Sequence, residues 1–182
     1  LALFTTSEIP ANATLAEAAK IVKGNGKLNV WYQAQIHPNE PAAGEGALVM
    51  IDNFVNDPTY KALLDKINIV IVPRINPDGS YLFSRATYDG FDMNRDHMSL
   101  KAAELAQLHT AYRLFMSEVV LDTHEFTFYG AYNDDWTSAG EYMENADDLE
   151  TTPATSLNNN PAVTKIGLDM AKRAFSDATN AG

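Results

Sequence analysis

The stretch INIVIVPRINPDG (Ile67 to Gly79) indicates the fold class more clearly than any other part of the chain. Its run INIVIVPRI is almost continuously apolar and rich in β-branched residues, which is typical of a strand covered on both faces. The polar sequence NPDG then interrupts the run as a turn signal. We therefore predict a central strand of a largely parallel sheet, ending in a polar turn.

Strand and helix patterns alternate on either side of this stretch. Thr14 and Glu17 have the spacing of a capping box at the start of one helix. The alternation predicts an α/β layered sandwich, in which helices flank a mixed, largely parallel twisted sheet, and one domain over residues 1–182. The other predicted strands are residues 1–6, 27–36 and 118–126, the last of them buried, and the predicted helices are 14–22, 42–54, a short one after Pro58, 99–116 with Ser99 as its cap, and 161–178.

Composition narrows the range of functions. The formal net charge of the 182 residues is -11. Phosphate backbones repel such a chain, which argues against a nucleic-acid partner. No apolar run approaches the ~20 residues of a membrane span. There is no cysteine, so any metal must be held by nitrogen and oxygen ligands.

Two polar clusters follow predicted strands and contain metal-ligating residue types. His37 and Glu40 stand in HPNE after the second strand, and His124 stands in DTHE after the last. The carboxyl ends of parallel strands meet at one edge of a sheet, so these side chains can converge. Two histidines and one glutamate form a common catalytic zinc site. Each motif alone would equally fit a polar turn, and His97 and His109 are expected to be non-ligands.

A third cluster, within NPDGSYLFSRATYDGFDMNRD, gathers Arg85, Asp92, Asn94 and Arg95. A guanidinium group can grip a carboxylate through two hydrogen bonds, and a second one can stabilise a developing oxyanion. Alone, this cluster would also fit a solvated turn.

Taken together, these motifs resemble those of the zinc carboxypeptidase family. The resemblance rests on HPNE, NPDG, Arg85, DMNR and DTHE in that order, and it covers residues 1 to about 125. It implies hydrolysis of a C-terminal peptide or related amide bond by zinc-activated water. The substrate would be a peptide or small amide with a free carboxylate.

The resemblance also implies a role for each matched residue. His37, Glu40 and His124 would bind zinc, and Asp92 would hydrogen-bond a ligand histidine. Arg85 would polarise the scissile carbonyl. Asn94 and Arg95 would bind the terminal carboxylate of the substrate.

The general-base glutamate of the family has no evident counterpart in the sequence. Glu125 adjoins a ligand, but neighbours on a strand point to opposite faces, and Glu141, Glu144 and Glu150 lie in a loop-like region. We expect a fragment of a longer catalytic domain, with its base beyond residue 182. Two alternatives remain: a zinc amidohydrolase acting on N-acyl amino acids, and an inactive carboxylate-binding relative. Similarity to secreted relatives favours a secreted or periplasmic location.

Overall fold

A computed structural model describes residues 1–125 and 159–181. Two compact units divide the chain, Leu1–Thr127 and Phe128–Gly182. The single domain expected from the sequence stays a prediction. In the described residues, no helix is long and apolar enough to cross a membrane.

The first unit contains a mixed four-stranded sheet. Its strands are β1 (Ala2–Phe4), β2 (Leu28–Ala34), β3 (Ile67–Val72) and β4 (Val119–Thr123), in the spatial order β1-β3-β2-β4. Strand β2 pairs in parallel with β3 and β4, whereas β1 runs antiparallel to β3. The carboxyl ends of β2, β3 and β4 therefore share one edge of the sheet.

Helices cover both faces of this sheet. The helices of this unit are α1 (Leu15–Lys23), α2 (Pro41–Asn56), α3 (Pro58–Leu63), α4 (Pro77–Leu82) and α5 (Ala103–Phe115), with a 3-10 turn at Met93–Arg95. Side chains of β2 alternate between two cores: Trp31 packs with residues of α1 and α5, whereas Tyr32 packs with residues of α2. The layered α/β sandwich predicted from the sequence is confirmed.

Local sequence explains where several helices begin. Thr14 caps α1 through the predicted capping box with Glu17, and Asp57 caps α3 by accepting from the Thr59 amide. The second unit contributes α6 (Pro161–Ala181), whose side chains are mostly exposed. The helices predicted over 14–22, 42–54 and 161–178 are thus found with ends shifted by a few residues.

Two predictions about local structure were wrong. Ser99 does not cap α5, which begins at Ala103; its hydroxyl instead donates to the Asp96 carboxylate, which also accepts from the Ala102 amide. Strand β4 is not buried, because Val120 and Leu121 are 47% and 43% exposed. In the described sheet β4 is an edge strand, so an apolar run did not distinguish an edge from a centre.

Candidate metal centre

The HPNE motif lies where β2 ends and α2 begins. Gln35 adopts a left-handed backbone conformation (φ 54°) directly after the strand, which turns the chain toward α2. The Glu40 amide donates to the His37 carbonyl oxygen (3.1 Å), closing the turn. Both side chains are buried at 4% exposure. A tight turn thus points an imidazole and a carboxylate into the same small space.

His124 reaches that space from β4. Its Nδ1 lies 3.0 Å from Glu40 Oε2 and 3.2 Å from His37 Nδ1, while His37 Nδ1 lies 2.8 Å from Glu40 Oε1. Within the described ranges this is the one group of three or more such side chains placed to hold a metal ion. The three ligands predicted from the sequence therefore meet, although His124 lies 87 residues from His37 and 84 from Glu40 along the chain.

The donor atoms fit a divalent ion such as zinc. Around a tetrahedral zinc with bonds of about 2.0–2.1 Å, neighbouring ligand atoms lie roughly 3.3 Å apart. The two histidine nitrogens are 3.2 Å apart, and each lies 2.8–3.0 Å from a different oxygen of Glu40, so both oxygens of the carboxylate border the same space. Two imidazole nitrogens that face each other can share only one proton, so at least one lone pair points into the site.

A carboxylate lies near the far side of each histidine ring. Asp122 Oδ2 is 3.2 Å from His124 Nε2, within hydrogen-bond distance, whereas Asp92 Oδ1 is 3.5 Å from His37 Nε2, which has no hydrogen-bond partner among the described residues. The contact with Asp122 selects the tautomer of His124 that leaves Nδ1 free for a metal. The sequence reading missed Asp122. The sequence feature that indicates Asp122 is its position two residues before His124, because alternate residues of a strand point to the same side.

Charge and burial set the protonation of these groups. The hydrogen bond to Asp122 raises the pKa of His124 against the opposing effect of burial, and Glu40 adds to the increase. Burial lowers the pKa of His37, partly offset by Glu40. Burial would raise the pKa of Asp92, but the hydrogen bond and charge of Arg85 lower it overall. The buried His37 is consequently held in the neutral form that metals require.

Arg85 borders the same site. Its Nε donates to Asp92 Oδ2 (2.9 Å), and its Nη1 lies 3.6 Å from Glu40 Oε1. About a third of its side chain is exposed (32%), so the guanidinium group is held in place yet open to a ligand. Asp92 thereby joins an arginine to a candidate metal ligand.

The predicted carboxylate-binding pair follows immediately. Asp92 Oδ1 accepts from the Asn94 amide (2.9 Å), which starts the 3-10 turn, and the exposed Arg95 donates from Nη1 to the Asn94 carbonyl oxygen. The structure places both residues on the turn after Asp92. Their roles stay predictions.

NPDG is a packing motif as well as a turn. The buried Asn76 caps α4, its Oδ1 accepting from the Gly79 amide (2.9 Å). A Cβ on Gly79 would lie only 2.5 Å from the Ala86 carbonyl oxygen and 2.7 Å from Pro38 Cγ. The glycine therefore lets the loop that carries Arg85 approach the HPNE turn.

Glu125 makes hydrogen bonds that hold the start of α2 and the end of β4 together. Its Oε2 accepts from the Ala42 amide at the start of α2 (2.8 Å), and its own amide donates to Glu40 Oε2 (3.2 Å). Glu40 makes no capping bond of its own, so Glu125 supplies an acceptor to the α2 N-terminus. Glu141, Glu144 and Glu150 lie outside the described residues.

Comparisons with known proteins agree with this arrangement. A family model described as zinc carboxypeptidase matches residues 7–163. Carboxypeptidase 2 of Trichophyton rubrum is 32% identical over 158 residues, which are 86% of this chain and 28% of that protein. The chain thus spans under a third of that relative's length.

Solved structures give the same picture. A metallo-carboxypeptidase from Burkholderia cenocepacia shares 28% identity (TM-score 0.50) over 56% of this chain and 30% of that one. A metallo-carboxypeptidase from Pseudomonas aeruginosa, in complex with (2-guanidinoethylmercapto)succinic acid, shares 27% identity (TM-score 0.51) over 57% and 30%. The chain belongs to the zinc carboxypeptidase family, peptidase family M14, and the zinc expected from the sequence is the cofactor of that family.

Proposed function

We propose that this chain carries the metal-binding and carbonyl-binding part of a zinc carboxypeptidase, which hydrolyses the C-terminal peptide bond of its substrate. The observation that carries the proposal is the meeting of His37, Glu40 and His124 beside Arg85. The match of the family model over residues 7–163 supports the assignment.

The zinc ligands in this proposal are His37 Nδ1, the Glu40 carboxylate and His124 Nδ1. When bound, zinc supplies Lewis-acid polarisation of a carbonyl and lowers the pKa of water. The neutral His37 needs no deprotonation for this role. His124 would ligate after losing any proton on Nδ1, while its Nε2–H stays on the ring and donates to Asp122 Oδ2, which keeps Nδ1 as the ligating atom.

Arg85 is the proposed partner of the scissile carbonyl oxygen. Its Nη1 lies on the Glu40 side of the site, and its Nε is fixed by Asp92. A guanidinium group held in advance needs little reorganisation when negative charge develops on that oxygen, which is where electrostatic catalysis gains most.

Asn94 and Arg95 are the proposed binding site for the free carboxylate of the substrate. Arg95 presents an exposed guanidinium group on a turn that Asp92 holds. A planar guanidinium group and an amide can bind the two oxygens of one carboxylate, which selects the end of a chain over its interior. This preference is what distinguishes a carboxypeptidase from an endopeptidase.

Glu125 is excluded from the proposal as general base. Its carboxylate accepts from the Ala42 amide, so turning it toward a substrate would leave the α2 N-terminus without that acceptor.

A zinc titration with a substrate comparison tests the proposal. Wild type should bind zinc tightly, while His124→Gln and Glu40→Gln should bind it far more weakly. Glu45→Gln, at an exposed position of α2, is the matched control and should bind as wild type does. Equal zinc affinity in all four proteins would contradict the ligand assignment.

Substrate choice is tested on a longer chain that continues past residue 182. Faster hydrolysis of N-blocked dipeptides than of N-acyl amino acids supports a carboxypeptidase. The reverse order would identify an amidohydrolase, and zinc binding without hydrolysis of either would identify an inactive relative.

A further inference from the structure

We propose that His97 and His109 form a second metal site, specific for a nitrogen-preferring divalent transition ion such as Cu²⁺. His97 Nδ1 lies 2.9 Å from His109 Nε2, and the ring centroids are 5.2 Å apart. Neither residue belongs to the centre formed by His37, Glu40 and His124. The sequence alone had predicted both to be non-ligands.

The two rings come from separately anchored elements. His97 follows the 3-10 turn, and His109 lies within α5. Between them, Asp96 accepts from the Ser99 hydroxyl (2.5 Å) and from the Ala102 amide (2.8 Å), which ties the intervening loop to the start of the helix. The pair is therefore preorganised, and little entropy is lost when an ion joins the two rings.

The spacing suits adjacent positions on a tetragonal ion. With metal–nitrogen bonds of about 2.0–2.1 Å, two ligands at a right angle lie roughly 2.9 Å apart. The two nitrogens, which share a hydrogen bond in the structure, are separated by the same distance, so an ion could replace the shared proton with little movement of the rings. Imidazole suits Cu²⁺ and Ni²⁺ in tetragonal geometry, and Cu²⁺ binds such donors most strongly of the first-row divalent ions.

The protonation of His109 and the charges around it affect metal binding by this pair. Burial, together with the positive charges of His97 and Arg113, lowers the pKa of His109. The ring is therefore available as a neutral ligand at pH 7. The positive charge of Arg113 opposes a bound cation. Within the described ranges no third side chain completes the set, so water would fill the other positions and the ion would exchange readily.

A bound ion would brace the turn that carries Asn94 and Arg95 against α5. That consequence depends on the proposed function, because it concerns the site for the substrate carboxylate. Binding of the ion to the two histidines does not depend on the proposed function. An exchangeable ion at this place would make carboxylate binding respond to the transition-metal supply.

The experiment titrates the full chain carrying His124→Gln with Cu²⁺ and follows it by electron paramagnetic resonance. This background is used because Cu²⁺ would also displace zinc from the centre of His37, Glu40 and His124, whose two imidazoles would give a similar signal. The chain should show a tetragonal copper signal with hyperfine splitting from two nitrogens, and adding His97→Gln or His109→Gln should abolish that signal. Met98→Gln is the matched control, since Met98 is 97% exposed beside His97, and it should keep the signal.

The outcomes separate this proposal from the zinc assignment. His124→Gln should release zinc but keep the two-nitrogen copper signal. Retention of that signal after either His97→Gln or His109→Gln is added to this background would overturn the second site. If His109→Gln fails to fold by circular dichroism, His97→Gln at its exposed position gives the same readout.

Discussion

Replacing Gly79 by alanine should destabilise the chain, although the same change elsewhere in a helix should stabilise it. The added Cβ would lie 2.5 Å from the Ala86 carbonyl oxygen, and 2.7 Å from both the Ser84 carbonyl oxygen and Pro38 Cγ. Two of these three neighbours are backbone atoms and the third belongs to a ring, so none can move aside cheaply.

The magnitude follows from two opposing effects. Alanine gains at most about 1 kcal/mol over glycine in a helix. Forcing an extra methyl group into a packed site typically costs about 1–3 kcal/mol. Three contacts below 3 Å place Gly79→Ala near the upper end of that range. We expect a net loss of about 2 kcal/mol in the free energy of unfolding.

Gly46→Ala is the matched control. Gly46 lies within α2, and no atom stands within 4 Å of a Cβ built there. It should therefore gain about 0.5–1 kcal/mol. Urea unfolding of the metal-free variants at 25 °C measures both free-energy changes. Zinc affinity should fall in Gly79→Ala alone. The reason is that the residues it would displace, Pro38 and Ala86, are next to His37 and Arg85 in the chain. A stabilised Gly79→Ala would refute the packing argument.

Three further predictions concern carboxylates. Asp92→Asn should weaken zinc binding about 10- to 100-fold, because it alters the contact with His37, a proposed zinc ligand. Circular dichroism should stay unchanged, and unaltered affinity in competition with a chelator would contradict this prediction. Glu125→Ala should cost about 1 kcal/mol in unfolding by urea, through loss of the acceptor for the Ala42 amide, and Glu125→Gln should restore most of it. Hydrogen bonds from Ser99 and the Ala102 amide lower the pKa of Asp96. The stability that the Asp96 carboxylate adds, measured against Asp96→Asn, should therefore be complete above pH 4 and be lost as pH falls through the pKa of the folded state. A difference in melting temperature that does not change with pH would exclude that contribution.

Sequence patterns predicted the part of the fold that depends on periodicity. The nearly continuous apolar run of β3 is typical of a strand covered on both faces, and the small-residue face of α2 has the period of a helix; both elements are found. The meeting of His37, Glu40 and His124 was predictable because these residues lie at the carboxyl ends of β2 and β4, which run parallel and end at the same edge of the sheet.

Contacts that depend on three-dimensional packing were not predictable in this way. Asn68 is buried and bonds to Asn25, Asn29 and Thr5, a network with no sequence signature because each partner comes from a different segment. The exposure of β4 likewise depends on its place in the sheet. The meeting of His97 and His109 depends on how the loop after the 3-10 turn folds back on α5.

The three contacts of Asp92 have a consequence for how this protein can evolve. One carboxylate touches His37, anchors Arg85 and starts the turn that bears Asn94. Under the roles proposed for these residues, a replacement of Asp92 would change metal binding, carbonyl polarisation and selectivity for the chain end together. Divergence of any one of these properties would then have to arise at other positions.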